Sequence, residues 1–402
     1  MKVLLINTVC GIRSTGRICT DIAEVLEKEG HDCKIAYGRE VVPEKYKKYA
    51  VKISTKLSVK MDAFFTRLFD NAGFNSIVST KKFIKWIKQY NPDVIHLHNL
   101  HGYYLNVKLL FKFLEKANIP VVWTLHDCWA FTGHCSYFTT KNCNLWQTGC
   151  KKCPLKKSYP SSLIIDRSKK NYKDKKRLFT SVKNMTIVTP SDWLKDLVEK
   201  SFLGKYPVKT IRNGVDLTVF KPTESNFREE YGLTDKKIIL GVASAWGQRK
   251  GLSDFIELSK KLGDDYKVVI VGLTKEQAKN VPEQILIIER TNSVSQLAEI
   301  YTTADVYFNP SRQETMGLTT VEAMACGTSA VVSNYTAVPE VIDENGGVVI
   351  SDLNVDNVVE VLTQVISAKY LSPVETAKKY EKTQQYMIYV NLYEESFKAG
   401  EK

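Results

Sequence analysis

The chain has no stretch of about eighteen uninterrupted apolar residues, the length a membrane-spanning helix requires. It also lacks the marks of a secretory leader. Met1-Lys2-Val3-Leu4-Leu5-Ile6 carries a positive charge and an apolar run, but the run is short and no small-residue cleavage site follows it. These absences predict a cytoplasmic protein whose first residues form a buried strand. No helix-turn-helix, zinc-finger pair or aromatic RNA-binding signature is present, so no nucleic-acid partner is expected. Nine cysteines do not make an even secretory disulfide framework. No internal repeat or low-complexity segment stands out.

What is present is a soluble α/β composition. With 402 residues and 44% hydrophobic content, the chain can bury a large core and is long enough for two domains. Its formal charge of +13 is unevenly placed. Residues 1–200 hold 35 Lys and Arg against 17 Asp and Glu, or +18, and the remainder holds 22 against 27, or −5. A basic half joined to a slightly acidic half suggests a different partner for each, with an anionic membrane surface favoured for the first.

In chain order, Val3–Ile6 reads as a strand, Gly11 to Arg17 as a glycine-rich turn, and the residues around Ile18, Ile22, Val25 and Leu26 as one face of a helix. The glycines miss the G-x-G-x-x-G spacing of a dinucleotide site. Residues 39–90 are lysine-rich, and Phe64, Phe65, Leu68 and Phe69 form one apolar helical face expected to be core. Lys85-Trp86-Ile87-Lys88 sets cations beside an aromatic, a pattern suited to lipid or to a solvated outer face.

Asp93 to His98 and Ile119 to Leu125 are two buried strands, and histidine follows at or just beyond each C-terminal end (His96, His98, His126). Ligand sites in open parallel sheets lie at such ends. A metal hydrolase using His96, His98, His126 and Asp127 is one rival reading of these residues. From Trp129 to Pro154 periodicity gives way to aromatics and cysteines, which marks an insertion at about 128–156. Within it, Cys135, Cys143, Cys150 and Cys153 suit either a structural zinc, with His134 as a substitute ligand, or plain burial. The lysines of 151–183 are expected on solvated helix faces.

Asn213-Gly214-Val215-Asp216 is a turn, and Lys221 to Ser225 reads as an exposed linker. Strand and helix then alternate afresh, which implies a second parallel sheet. Arg249 and Lys250 precede Gly251 at a strand–loop–helix junction, where cations can neutralise a diphosphate. Further on, Glu314-Thr315-Met316-Gly317-Leu318 opens a short helix containing Glu322. The first turn of a helix leaves N–H groups free for an anion.

The stretch from Pro310 to Gly327, with Glu314 and Glu322 eight apart, resembles the E-x7-E signature of retaining glycosyltransferase family 4. The resemblance extends over nearly the whole chain, through the Asn213–Asp216 turn and the Arg249-Lys250-Gly251 loop. It implies the α/β GT-B fold, in which two Rossmann-like domains face each other across a cleft. The N-terminal, acceptor-binding domain would be 1–216 and the nucleotide-sugar domain 217–375, with 376–402 returning to the first.

On this resemblance Glu314 contacts the transferred sugar, Glu322 the nucleotide ribose, and the amides of Thr315, Met316, Gly317 and Leu318 the diphosphate. Arg249 and Lys250 share its charge, and Gly16 approaches it from the first loop. His126 lies near sugar and acceptor. The family often carries an arginine several residues before the lysine, where this chain has Ser244 and Ala245.

The segment His96–Asn106 and the cysteine insertion are similar to a subgroup associated with bacterial surface polysaccharides such as colanic acid, capsule and O-antigen. That puts His98, Asn99 and His101 on the acceptor side and implies a glycan or lipid-linked acceptor. The implied reaction is retaining transfer from a UDP- or GDP-sugar without a catalytic metal, by a protein peripheral on the inner face of the cell membrane. A GT-B nucleotide-sugar epimerase and a non-catalytic binding protein are the other readings.

Overall fold

In the computed structural model, which describes residues 1–368 and 372–400, the chain forms two compact units, Met1–Arg212 with Thr383 onward, and Asn213–Lys382. The change of unit falls at Arg212, ahead of the expected 216, and the return begins at Thr383, after the expected 376. Residues 401 and 402 of the expected returning tail lie outside the described residues.

The first unit contains β1 (Lys2–Asn7), β2 (Asp32–Tyr37), β3 (Ala50–Lys52), β4 (Val94–Leu97), β5 (Val121–Thr124), β6 (Met185–Thr189) and β7 (Val208–Thr210). They form one parallel sheet in the order β3-β2-β1-β4-β5-β6-β7. The second unit contains β8 (Lys237–Val242), β9 (Tyr266–Val271), β10 (Leu286–Ile288), β11 (Val306–Asn309), β12 (Ala330–Ser333) and β13 (Gly347–Ile350). These are also parallel, ordered β10-β9-β8-β11-β12-β13. In both sheets the strand order reverses beside the first strand of the unit, as in doubly wound Rossmann-like folds.

The strands read as near-continuous apolar runs because helices cover both faces. Along β1, Leu4 and Ile6 enter one core while Val3 and Leu5 enter the other. In β8, Ile238 and Leu240 pack on one side and Ile239 on the other.

The terminal helix Lys382–Gly400 buries Tyr386, Tyr389, Val390, Leu392 and Tyr393, within the same core as Val3 and Leu5. Its tyrosines also satisfy polar atoms that the strands would otherwise strand in apolar surroundings. Tyr393 Oη lies 2.6 Å from His96 Nδ1, His96 Nε2 lies 2.7 Å from Thr124 Oγ1, and Thr124 Oγ1 lies 2.9 Å from Tyr389 Oη. Tyr393→Phe keeps the ring but leaves His96 Nδ1 buried without its partner, an expected loss of about 1–3 kcal/mol. A lowered urea midpoint with unchanged far-UV circular dichroism checks this; an unmoved midpoint counts against it.

Several expectations need correction. The helix expected near Ile18 already starts at Arg13. In the helix Lys56–Phe69 the expected core face is exposed: Phe64, Phe65 and Phe69 are 58%, 39% and 42% accessible, whereas Asp62 and Thr66 are buried. Trp86 is stacked with Phe83 and Tyr90, at 6.0 and 5.0 Å between ring centroids. Among the lysines expected on solvated faces, Lys175 is buried and donates to the Trp129 and Thr132 carbonyls at 2.7 and 3.1 Å. Its ammonium lies 3.5 Å from the Trp129 ring centroid, so it fastens the start of the insertion to the helix Ser168–Phe179. Burial pushes this lysine down to about 7.

Candidate functional site

The second unit gathers its site at the C-terminal ends of β8 and β11. β11 ends at Asn309, and the loop beyond it is held by its own polar side chains. The Ser311 N–H donates to Asn309 Oδ1 at 3.2 Å, Asn309 Nδ2 donates to Thr320 Oγ1 at 3.0 Å, and Ser333 Oγ on β12 donates to the Ser311 carbonyl at 2.7 Å. Tyr307 Oη reaches Thr319 Oγ1 at 2.8 Å. The loop and the helix Leu318–Ala325 that follows are thus tied to the sheet from both ends.

Gly317 sits at the N-cap with φ +90°. A β-carbon there would meet only ordinary contacts, the nearest at 3.6 Å, so the backbone conformation, and not lack of space, selects glycine. No side chain caps this helix start. Thr320 N–H turns back to the Gly317 carbonyl at 2.9 Å, and the amides of Leu318 and Thr319 precede the first turn of the ladder. The helix start expected at Gly317 is therefore present. Met316 contributes backbone to it, while its side chain is buried with Sδ 3.2 Å from the Asn213 N–H.

Glu314 stands in the preceding loop. Its amide donates to Thr336 Oγ1 at 2.9 Å and its carbonyl accepts from the same hydroxyl at 3.0 Å. Its carboxylate meets Lys250 Nζ and accepts from Ser311 Oγ at 3.4 Å. Both side chains are mostly buried, at 14% and 16% exposure. Burial, and after it the charge of Arg249, pushes the Lys250 ammonium down to about 7. The Glu314 carboxylate is in contact with it, and an adjacent negative charge favours the ammonium form.

Arg249 donates from Nη1 to the Gln313 carbonyl at 2.7 Å, and its own carbonyl accepts the Arg312 N–H at 2.8 Å. The cationic and acidic loops are therefore braced against each other. Sequence reasoning missed one element of that brace: Arg312 forms a two-pronged pair with Asp254, with 2.8 Å between Nη2 and Oδ1. Arg312 lies within the Pro310–Gly327 stretch and Asp254 in the helix Leu252–Lys261, and nothing in their spacing joins them.

Glu322 lies inside the helix Leu318–Ala325, 3% exposed, with Oε2 accepting from Tyr301 Oη at 3.2 Å. The two glutamates thus occupy unlike settings, one in a cation-bearing loop and one under a buried phenol.

The first unit assembles the histidines. His98 Nδ1 lies 3.0 Å from His126 Nε2, with the rings stacked, and His96 packs against His98 at 3.9 Å between centroids. Burial lowers all three, His126 to about 4 and His96 and His98 well below the usual imidazole range. They are neutral hydrogen-bonding groups near pH 7. His98 Nε2 is buried with no hydrogen-bond partner among the described residues.

His101 Nε2 lies 2.8 Å from Asp127 Oδ2 and its Nδ1 3.1 Å from Tyr159 Oη. Burial pushes Asp127 up, but His101 and the Trp129 N–H outweigh it and hold the carboxyl below its usual value. Asn99 acts through its backbone, its carbonyl accepting from Thr8 Oγ1 and Tyr104 Oη at 3.1 and 2.8 Å. Gly16 lies within the helix Arg13–Lys28 and not in the loop before it. A β-carbon there would fall 3.0 Å from Val9 Cγ2 and 3.2 Å from the Gly11 amide, so this glycine lets the helix pack onto the first turn.

Cys135, Cys143, Cys150 and Cys153 line one small enclosed space with Phe138 and Trp146. The Gly133 N–H points at Cys150 Sγ at 3.2 Å. His134 has both ring nitrogens engaged, by Asp70 and by the Ser158 carbonyl. Among the described residues no group of three or more His, Cys, Asp or Glu is arranged to hold a metal ion. In this arrangement the thiols pack around Phe138 and Trp146.

The profile described as Glycosyltransferase Family 4 matches residues 15–219, just over half the chain, and that of Glycosyl transferases group 1 matches 223–386. The chain is similar to the putative colanic acid biosynthesis glycosyl transferase WcaC of Escherichia coli (strain K12), 25% identical over 98% of this chain and 100% of that one. In fold it is similar to sucrose-phosphate synthase from Thermosynechococcus elongatus, with a TM-score of 0.71 and 15% identity over 99% of both chains. It is also similar to Anabaena Alr3699/HepE in complex with UDP-glucose, with a TM-score of 0.67 and 13% identity over 98% and 100% of the two chains. With two parallel Rossmann-like sheets and both profiles matched in order, the chain belongs to glycosyltransferase family 4 and is a GT-B glycosyltransferase.

Proposed function

We propose that the protein moves a sugar from a nucleoside diphosphate sugar, UDP- or GDP-linked, to a glycan or lipid-linked acceptor, with retention at the anomeric carbon. The observation that carries this reading is the uncapped helix start at Gly317 beside the Arg249–Lys250 loop. Amides, helix dipole and two cations there suit a diphosphate better than any neutral ligand. The UDP-glucose complex of the structurally similar HepE supports a nucleotide-sugar donor, and the likeness to WcaC supports a role in surface-polysaccharide assembly.

In the proposed reaction the bond from C1 of the sugar to the diphosphate oxygen breaks as C1 joins the acceptor oxygen on the same face. The acceptor proton passes to the departing phosphate oxygen. Lys250 and Arg249, with the amides from Thr315 to Leu318, stabilise charge growing on that oxygen, so no metal is needed for the step. Glu314 accepts hydrogen bonds from sugar hydroxyls, and Glu322 from the ribose, in place of acting as a general acid/base pair. The neutral imidazoles of His126 and His98, with His101 and Asn99, serve the acceptor side.

A panel of UDP- and GDP-sugars with extracted lipid acceptors tests the proposal. One donor is expected to be consumed only when acceptor is present, equally with and without EDTA, giving a product of unchanged anomeric configuration. Inversion, or consumption that stops under EDTA, contradicts it.

A further inference from the structure

Apart from the transfer reaction, the helix Lys56–Phe69 is built inside out. Its protein-facing side carries Asp62 and Thr66, which are 2% and 0% exposed. Asp62 accepts from Ser76 Oγ at 2.5 Å, Asn75 Nδ2 at 3.1 Å and Thr66 Oγ1 at 3.2 Å. The side turned to solvent carries Met61, Phe64, Phe65 and Phe69, with Phe65 and Phe69 stacked at 6.2 Å. Polar anchoring inside and aromatics outside is the reverse of a surface helix that covers its own core.

The patch continues onto a second segment. Leu163 N–H donates to the Arg67 carbonyl at 2.8 Å and Ile165 N–H to the Leu68 carbonyl at 3.3 Å. Leu163 and Ile164 are thereby held beside the helix end at 64% and 66% exposure. Two backbone segments fixed to each other present one apolar surface, larger than isolated exposed residues explain.

Cations flank that surface. Lys56, Lys60 and Arg67 fall at helical spacing on the shoulder next to Phe64, and all three are exposed. Lys156 Nζ reaches the Ile164 carbonyl at 3.1 Å, with Lys157 exposed beside it. A second copy of this chain laid on the patch would set these cations against their own kind. An anionic interface accepts both features at once, since the rings enter the acyl boundary while the ammonium groups stay at the headgroups.

We infer that the face formed by the helix Lys56–Phe69 and the segment Leu163–Ile165 docks onto the surface of an anionic lipid bilayer. No helix among the described residues is long and apolar enough to cross a membrane, so this contact is interfacial.

Co-sedimentation with vesicles of phosphatidylglycerol and phosphatidylcholine, against phosphatidylcholine alone, tests it. The wild-type chain is expected to sediment with the anionic vesicles and to stay in solution with the neutral ones. Phe64→Ser/Phe65→Ser and, separately, Lys56→Glu/Lys60→Glu are each expected to weaken binding about tenfold or more, with unchanged thermal midpoints because the altered side chains are exposed. Failure of the wild type to bind anionic vesicles, or undiminished binding by both variants, overturns the inference. A lipid-free dimer that Phe64→Ser/Phe65→Ser dissolves would also overturn it, by making a second copy the occupant.

Discussion

Glu314→Ala is expected to lower the transfer rate by about 10²–10³, the size of effect found when a positioned electrostatic group is lost from an active site. Two losses combine. The sugar loses an acceptor for its hydroxyls, and Lys250 loses the carboxylate that holds its ammonium in the loop. Glu314→Gln separates them. The amide keeps the size of the side chain and its hydrogen-bonding reach but not the charge that opposes the downward shift of Lys250. Burial and Arg249 already press Lys250 down to about 7. A lysine with a lowered pKa loses its charge as pH rises, so wild-type activity should fall as pH climbs through about 7, and without the carboxylate the residual activity of Glu314→Gln should fall at lower pH still. Steady-state rates from about pH 5 to 9, about two units either side of the shifted group, read this out. Full activity in Glu314→Ala removes the carboxylate from the mechanism.

Lys250→Ala carries the second large effect. Charge on the departing diphosphate grows toward the transition state, so a cation beside it contributes more there than in the ground state. The loss should appear mainly in kcat, by about 10²–10³. Arg249 compensates only in part, because its Nη1 is directed to the Gln313 carbonyl. The variant also leaves Glu314 with one cation fewer in a mostly buried loop, which is unfavourable in its own right. A melting temperature measured alongside the kinetics distinguishes loss of chemistry from loss of fold. A change confined to KM indicates that Lys250 binds donor and transition state equally.

Much of this architecture was legible in the chain. Apolar runs such as Val3–Ile6 and Val268–Val271 can be buried on both faces only in a parallel sheet, and the alternation with helical stretches implied two such sheets. The short helix opening at Gly317 was legible as well, although its left-handed φ of +90° was not.

What failed to show was orientation. Periodicity marks Phe64, Phe65 and Leu68 as one face of a helix but does not say whether that face looks inward. The answer came from Asp62, whose partners Asn75 and Ser76 lie beyond the helix end. Lys175 misled for a similar reason. In a run of lysines nothing local distinguishes the one that meets the Trp129 carbonyl, 46 residues away. Gly16 read as loop because the helix begins at Arg13 with φ 56°, a start that propensity does not predict. The Arg312–Asp254 pair spans 58 residues and depends on a loop meeting the first turn of the helix Leu252–Lys261.

The central claim is that the Gly317 helix start and the Arg249–Lys250 loop hold the diphosphate of a nucleotide sugar without metal. Isothermal titration of UDP and GDP in EDTA, against the wild type and Arg249→Ala/Lys250→Ala, tests it most directly. The account predicts saturable binding of one nucleoside diphosphate by the wild type and a loss of about tenfold or more in the double variant, as expected when two charge-assisted contacts to phosphate are removed. Absence of binding by both nucleotides, or equal affinity in the double variant, would contradict it.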